Sequence, residues 1–353
     1  MKAFLRLAAF ILAVVGLSFS AHAQAPQSAA QAPVAAPAPT LTETPSGPAQ
    51  VKIGLYINDI QSIDLHNYSF VADVYVWFRD SDPAIVPGST FEWMNMFAPD
   101  DHVQTTIYET PVSQPDGSEY QVFRHQGPFA AKFSIKTFPF DSHSLTIEIE
   151  DREFDAGRVV YVADEVAMNP RIELPGFIIG KPTLEVVNKP YPTAFGDLSN
   201  PEAAPYSRAI VSIPISRPVM SGIIKSLLPV FIVVLVAGAA LLLDPQHIEA
   251  RVGLSITALL TLVALQFNAT SGLPDVGYLL MLDQVYLASY AFVLLVVALL
   301  VFATGKEDKA QRSGVSVDAV ARGGPATALL AVLLYAAIIG LVLYLNLGRA
   351  AAA

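Results

Sequence analysis

The stretch that decides the fold runs from Asp244 to Pro274 and reads DPQHIEARVGLSITALLTLVALQFNATSGLP. It is apolar enough to cross a bilayer as a helix, yet small polar residues interrupt it at regular places. At about 100° per residue, seven of its residues share one narrow helix face. These are Glu249, Gly253, Thr257, Leu260, Ala264, Phe267 and Ser271. Several such helices around an axis would enclose a pore with an acidic mouth, a polar constriction and an apolar middle.

Two interpretations of this face remain open at the sequence level. Small residues on a membrane helix can serve close packing in a bundle, whereas a glutamate and threonines favour a wet surface. Glu249 at a pore mouth would attract cations, but Arg251 follows closely and is the other charged candidate to face the ions. Leu260 and Phe267 would either form apolar rings that close the pore by expelling water or pack against neighbouring helices.

The composition indicates a membrane protein. The chain is 53% hydrophobic and only 15% charged, with a mean hydropathy of +0.47, which is too apolar for an ordinary soluble protein. It has no cysteine, which excludes disulfides and thiolate chemistry. Its net charge of -10 makes nucleic acid an unexpected partner. Without a nucleotide loop, a GxSxG or an HExxH motif, we expect no enzyme, no cofactor and no metal site.

The N-terminal part predicts export. Lys2 and Arg6 precede an apolar run, and Ala21-His22-Ala23 resembles a cleavage site, so residues 1–23 are predicted to be a signal peptide. A retained anchor helix is the alternative, although the run is short for a membrane span. The proline- and alanine-rich residues 24–50 predict a disordered linker. Short alternating runs over residues 51–218 then predict an exported, immunoglobulin-like β-sandwich.

Four apolar segments follow the predicted sandwich, and each is long enough to span a bilayer as a helix. They cover residues 219–243, 249–271, 279–303 and 326–347. The connection between the third and the fourth contains Lys306, Lys309, Arg312 and Arg322. By the positive-inside rule this connection is cytoplasmic, which places the β-sandwich and the C-terminus outside the cytoplasm.

Motifs occur in order along the chain at consistent spacing. They are FPFD at 138–141, ISRP at 215–218, LP at 228–229, and EARVGL at 249–254 with LP at 273–274. Together they resemble the pentameric ligand-gated ion channels, and the match covers residues 51 to 347. Leu145 stands where animal members have a cysteine. The chain is therefore most similar to the prokaryotic branch, the members of the Cys-loop receptor superfamily that lack the cysteines.

This resemblance implies a β + α membrane protein that assembles as a homopentamer in a bacterial inner membrane, surrounded by lipid. A small-molecule or proton agonist would open a pore lined by the second helix, with monovalent cations as the permeating ions. The alternative is a membrane-anchored periplasmic sensor or assembly protein that binds a ligand without conducting ions. Such a protein would have no use for a polar, acid-tipped face on its second helix.

The resemblance also implies residues that couple the ligand site to the pore. These are Pro139, Phe140, Asp141, Arg217 and Pro274. A buried arginine at the start of the first helix needs an anionic partner, because leaving one charge of a buried pair unpaired costs roughly 3–5 kcal/mol. Asp141 is the expected partner of Arg217. A salt bridge needed only for folding is the alternative.

The ligand site is expected at a hairpin near residue 195. The candidates are Arg152, Phe154, Tyr191, Phe195 and Tyr206, although aromatic residues in a proline-rich loop can also be simple packing. Arg152 stands where amine-binding animal receptors have a tryptophan, and an arginine suits a carboxylate ligand.

Two further groups of residues leave alternatives open. The acidic residues between 148 and 155 suggest either calcium binding or, from their alternation along a strand, a solvated face. His66, His102, His125 and His247 lack the spacing of metal ligands and are expected at the surface, where any of them would be able to help sense pH.

Overall fold

The computed structural model describes residues 47–82, 85–86, 88–196, 204–244, 247–312 and 324–350. The predicted signal peptide and most of the predicted linker lie outside these residues. The described chain divides into two compact units. The β-domain contains the residues up to Phe133 together with Ser142–Ser216, and the helical unit contains Ser134–Asp141 together with the residues from Arg217 onward.

The β-domain consists of two sheets. The strands of its described residues are β1 (Ala49–Asp64), β2 (Ser69–Asp80), β3 (Phe91–Trp93), β4 (Val103–Thr106), β5 (Val112–Ser113), β6 (Glu119–Ala130), β7 (Ser142–Asp151), β8 (Val159–Met168), β9 (Ile178–Ile179), β10 (Thr183–Lys189) and β11 (Tyr206–Ser216). One sheet has the order β4-β6-β2-β1-β8, with β5 also paired to β6. The other has the order β10-β11-β7-β3, with β9 paired to β11. This arrangement confirms the predicted β-sandwich.

Alternation of apolar and polar residues determines which face of each strand is buried. Ile53, Leu55 and Phe70 are fully buried in the first sheet, as are Leu145 and Ile147 in the second. Side chains of a strand point alternately to opposite faces, so these residues all face inward while their neighbours face outward. Among the described strands, all the pairs are antiparallel except β1 with β8, which is parallel. β1 begins at Ala49, two residues inside the range predicted as linker.

Among its described residues, the helical unit contains four helices that are long and apolar enough to cross a membrane. They are α1 (Val219–Ala239), α2 (Ile248–Thr270), α3 (Met281–Arg312) and α4 (Gly324–Ala350). α3 extends past its predicted end at residue 303. The helices share a core of buried residues that includes Val234, Leu262 and Val293. The four apolar segments predicted after the sandwich are therefore confirmed as helices.

A proline shapes the beginning of α1. The turn Ile223–Leu227 is a π-helix, and the N–H of Leu228 bonds to the carbonyl of Ile223, five residues earlier. Pro229 follows directly and has no N–H to donate to the preceding turn. The wider turn therefore accommodates the proline without breaking the helix.

Candidate functional site

The seven residues predicted to line a pore all lie exposed on the subunit. Leu260 is 66% exposed and Phe267 is 77% exposed, which is unusual for large apolar side chains. Glu249 lies in the first turn of α2, and Ser271 caps its C-terminal end. One side of α2, from its first turn to its last, is therefore left uncovered by the described residues of the chain.

The opposite side of α2 is buried. Arg251 is only 4% exposed, and Ser255, Ala258 and Leu262 are buried with it. The Nε of Arg251 donates to the carbonyl of Ala240 at 3.1 Å, and the hydroxyl of Ser255 donates to the carbonyl of Arg251 at 3.1 Å. Of the two charges that the sequence left as alternatives, Glu249 thus lies on the exposed face and Arg251 lies inside the helical unit.

A polar contact within the bundle links α2 to α3. The hydroxyl of Tyr290 donates to Oε1 of Gln266 at 2.7 Å. Hydrogen bonds between membrane helices hold the helices in register, because no water competes for the polar groups. The sequence does not predict this pair, since the two residues lie on different helices and neither belongs to a recognised motif.

The segment Ser134–Asp141, called the FPFD loop here, belongs to the helical unit. Asp141 is fully buried and accepts a hydrogen bond from Nε of Arg217 at 2.9 Å. The backbone N–H of Arg217 also donates to the carbonyl of Asp141, at 3.2 Å. The guanidinium of Arg217 lies 5.0 Å from the centre of the Phe138 ring. The structure therefore pairs Asp141 and Arg217 as the sequence analysis expected.

The FPFD loop also contacts the beginnings of α1 and α3. A Cβ atom at Gly222 would lie 3.1 Å from both the Pro139 carbonyl and the Phe140 ring, so this glycine permits the close approach of α1. The N–H of Met281 donates to the carbonyl of Lys136 at 2.8 Å. Nζ of Lys136 lies 5.4 Å from the centre of the Tyr278 ring.

Pro274, the remaining predicted coupling residue, is buried in the connection between α2 and α3. The contact between that connection and the FPFD loop is made by Lys136 and Tyr278. Neither of these two residues is predicted from the sequence.

Three of the predicted ligand-site residues come together at the β10–β11 hairpin. The Tyr191 ring lies 5.4 Å from that of Phe195 and 5.8 Å from that of Tyr206, both edge-on. Phe195 is 71% exposed. Arg152 instead pairs with the adjacent Glu153 at 3.7 Å, and the Phe154 ring lies 5.9 Å from the guanidinium of Arg158. The hairpin aromatics thus form one group, while Arg152 and Phe154 have their contacts elsewhere.

A charged network that the sequence analysis missed supports the hairpin. Arg208 donates through Nε to Glu150 at 2.6 Å and through Nη2 to the Tyr191 hydroxyl at 2.8 Å. Arg208 also forms an ion pair with Glu148, and the Tyr191 hydroxyl donates to Glu150 at 2.7 Å. Burial and the hydrogen bond to Glu150 raise the pKa of Tyr191.

This network corrects the expectation of a solvated acidic face. Glu150 and Asp151 are buried. In the described ranges no three His, Cys, Asp or Glu residues are grouped to hold a metal ion. The buried carboxylate of Glu150 is instead neutralised by Arg208 from the neighbouring strand.

Two of the histidines expected at the surface are paired. Nδ1 of His102 lies 2.8 Å from Nε2 of His125. His125 is buried, with its ring 4.4 Å from that of Trp93. Burial, with a smaller contribution from His102, lowers the pKa of His125 to about 4. The surface expectation is therefore wrong for His125, which faces the sandwich core.

Comparison with curated proteins finds channel and receptor subunits among the relatives of this chain. The chain is 22% identical over 275 residues to an acetylcholine-gated chloride channel subunit of Caenorhabditis elegans, covering 71% of this chain and 57% of that subunit. It is 25% identical over 202 residues to the gamma-aminobutyric acid receptor subunit alpha-2 of Bos taurus, covering 54% and 41%. The Homo sapiens alpha-2 subunit is 24% identical over the same length. The chain thus spans about half the length of the curated relatives it matches.

No protein-family model matches the chain, so its assignment rests on the curated relatives and the architecture. The relatives are channel and receptor subunits, and the chain combines a β-sandwich with four apolar helices. It is a multi-pass membrane protein without cysteines whose curated relatives are Cys-loop pentameric ligand-gated channel subunits.

Proposed function

We propose that this chain is the subunit of a homopentameric, cation-selective, ligand-gated channel of a bacterial inner membrane. The observation that supports the pore most directly is the uncovered face of α2, on which all seven predicted residues are exposed. A ring of copies with these faces turned inward would bury Leu260 and Phe267 against each other and leave Glu249 in contact with ions. The four membrane-spanning helices supply the scaffold that this arrangement needs.

Cation selectivity follows from which charge faces the pore. Glu249 is exposed at the N-terminal end of α2, where a ring of carboxylates at a narrow mouth concentrates cations. Arg251 is buried on the other side of the same helix and donates to a backbone carbonyl. The relative from Caenorhabditis elegans is named as a chloride channel, so selectivity has to be measured on this chain.

Opening would begin at the exported β-domain. A small-molecule agonist would bind at Tyr191, Phe195 and Tyr206, with Arg152 and Phe154 from the loop after β7 completing the site, and protons are the alternative agonist. The signal would reach the pore through the FPFD loop, whose Asp141 is bound to Arg217 at the start of α1. A ligand shifts this equilibrium only through its different affinity for the open and closed states.

Current recording tests the proposal. The purified protein would be reconstituted in planar bilayers with asymmetric potassium chloride, over a pH series and a panel of carboxylates and amines. We expect currents that reverse near the potassium potential. Reversal at the chloride potential would overturn cation selectivity, and the absence of current under every condition would favour a sensor that does not conduct.

A matched pair of variants tests the role of Glu249. Glu249→Gln removes the proposed selectivity charge while preserving side-chain size, and we expect its reversal potential to move toward zero. Glu173→Gln makes the same chemical change at an exposed position of the β-domain and should leave the reversal potential unchanged. An unchanged reversal potential in Glu249→Gln would remove Glu249 from the ion pathway.

A further inference from the structure

Two buried oxygen atoms without hydrogen-bond partners lie at one end of the β-sandwich. Asp80 is 6% exposed and Gln121 is 5% exposed. Within the described part of the chain, Oδ2 of Asp80 and Oε1 of Gln121 have no hydrogen-bond partner. Buried polar atoms are nearly always hydrogen-bonded, so two such acceptors in one region point to a missing donor.

The orientation of the Asp80 carboxyl is fixed by its other oxygen. Oδ1 accepts hydrogen bonds from the backbone N–H groups of Ser81 at 2.7 Å and Asp82 at 3.2 Å. Asp80 is the last residue of β2, so its side chain caps the turn that follows the strand. Oδ2 therefore points away from this turn and into the protein.

The orientation of the Gln121 amide is fixed in the same way. Its Nε2 donates to the carbonyl of Tyr108 at 2.6 Å. Exchanging the nitrogen and the oxygen of the amide would place two acceptors against each other, so Oε1 must be the atom that points away from Tyr108. Tyr108 follows β4, which borders β6 on one side, whereas β2 borders β6 on the other. The Gln121 oxygen is thus the amide atom on the side away from Tyr108.

The strand register brings the two side chains close. Phe78 of β2 pairs with Gln121 of β6, and Asp80 pairs with Glu119. Asp80 and Gln121 are therefore diagonal neighbours, and both are inward-facing residues of their strands. Diagonal neighbours in an antiparallel pair lie about 7–8 Å apart, within reach of a long side chain such as glutamine.

We propose that Asp80 binds a proton on Oδ2 and donates it to Oε1 of Gln121. A single proton then satisfies both buried acceptors. The ionised carboxylate would instead leave two acceptor oxygens facing each other away from water, which is unfavourable for both. The ligand of this site is the hydrogen ion, and the site is separate from the pore and from the hairpin aromatics.

The charged groups around Asp80 favour its neutral form. Burial raises the pKa of Asp80, and the negative charge of Asp82 adds to this effect against the two backbone hydrogen bonds. Glu119, opposite on β6, is also acidic and accepts the hydroxyl of Ser113 at 2.6 Å. From the second sheet, the Phe91 ring packs against Phe78, two residues before Asp80, and the residue paired with Phe91 is the acid Asp151. Arg79 lies on the outer face, bound to Asp164.

Because of this proton, the stability of the folded β-domain depends on pH in a defined direction. Because the pKa of Asp80 is higher in the folded protein than in the unfolded chain, the folded state holds the proton more tightly. The contribution of Asp80 to stability is therefore complete below the unfolded value and is lost as the pH rises through the folded value. Acidification stabilises the protein at this site.

Thermal unfolding of the full-length protein tests this link. Both tryptophans of the chain, Trp77 and Trp93, lie in the β-domain, so intrinsic fluorescence reports its unfolding. Asp80→Asn keeps the acceptor for the backbone and offers an N–H to Gln121, which imitates the protonated acid. We expect this variant to match the wild type near pH 4 and to gain on it by about 3–5 °C per unit of raised pKa as the pH increases to about 8.

A control variant and the pH dependence of the difference decide whether the proposal holds. Asp100→Asn makes the same change at an exposed site and should show no such pH-dependent gain. Taking the difference between two proteins at each pH removes the contribution of other titrating groups, including His125. A constant difference between Asp80→Asn and the wild type at all pH values, or a variant that is less stable throughout, would overturn the proposal.

Infrared spectroscopy of the wild type provides a test that does not depend on a variant folding. Labelling the aspartates with carbon-13 identifies the carbonyl stretch of a protonated aspartic acid, which should persist above the pH at which exposed aspartates ionise. Gln121→Leu removes the acceptor and should shift this band to higher frequency. If the band disappears together with those of the exposed aspartates, Asp80 does not hold the proton.

Discussion

Replacing Leu260 by serine is expected to open the channel without any ligand. Leu260 lies on the uncovered face of α2 and is 66% exposed in the subunit. In a closed ring of five subunits these side chains would meet on the axis and exclude water. A serine at the same position is small and polar, so it would wet the constriction.

The magnitude follows from the exposed fraction. Complete burial of a leucine side chain contributes about 1.5–3 kcal/mol, so burying the two thirds that the subunit leaves exposed contributes about 1–2 kcal/mol. Five copies together contribute at least about 5 kcal/mol to the closed state. Since every 1.4 kcal/mol corresponds to a tenfold change, the open population should rise by roughly three orders of magnitude or more.

The assay is current recording from reconstituted Leu260→Ser protein in the absence of any added agonist. We expect a standing current that the wild type does not show under the same conditions. Because the measurement needs no agonist, it is independent of what the ligand is. The same variant then provides a conducting background on which reversal potentials are measured.

Val263→Ser is the matched control. Val263 is also a large apolar residue that is 52% exposed on α2, but it lies about 80° around the helix from the centre of the predicted face. This variant should stay closed. If Leu260→Ser is silent, or if Val263→Ser conducts equally well without a ligand, the assignment of the apolar ring as the gate is refuted.

Two further predictions concern the charged groups of the two units. Asp141→Asn should lower the free energy of unfolding by about 2–3 kcal/mol. This loss is smaller than for a fully buried pair because Arg217 is partly exposed. On the Leu260→Ser background, Asp141→Asn should also change the standing current. An unchanged current in a variant that assembles normally would argue against a coupling role. Because His125 has a folded pKa of about 4, the stability that it contributes is complete above about pH 6.5 and declines by about 3 kcal/mol toward pH 4. Denaturant titrations of the wild type and His125→Phe should show this acid loss in the wild type alone, and an equal loss in both would contradict it.

The architecture was accessible from the sequence because it depends on local periodicity. Alternation around Ile53 and Phe70 predicts strands, and the length of the apolar segments predicts membrane helices. The position of Arg251 also follows from helix geometry, since it lies about 200° around α2 from Glu249. What the sequence left undecided was whether that side of the helix is covered, which depends on contacts with α1.

The charged network at the hairpin and the burial of Glu150 were less predictable from the sequence, for a physical reason. Glu150 lies in a stretch of alternating acids that is typical of a solvated face, yet it is buried. Its partner Arg208 comes from another strand, 58 residues away along the chain. Strand register decides which charges meet, and a shift by one residue would turn Glu150 to the opposite face. No local pattern contains that information.

The membership of the FPFD loop in the helical unit affects how domains can be exchanged between related channels. Residues Ser134–Asp141 are connected on both sides to strands of the β-domain, but they pack with the helices. Within the described residues, the polypeptide therefore passes from one unit to the other at three places. A chimera joined only at Arg217 would combine a foreign helical bundle with the original loop and would lose matched partners for Asp141 and Lys136. Transplanting the loop together with the helices preserves those partners. The part of the chain that has to be exchanged as one unit is therefore discontinuous in sequence.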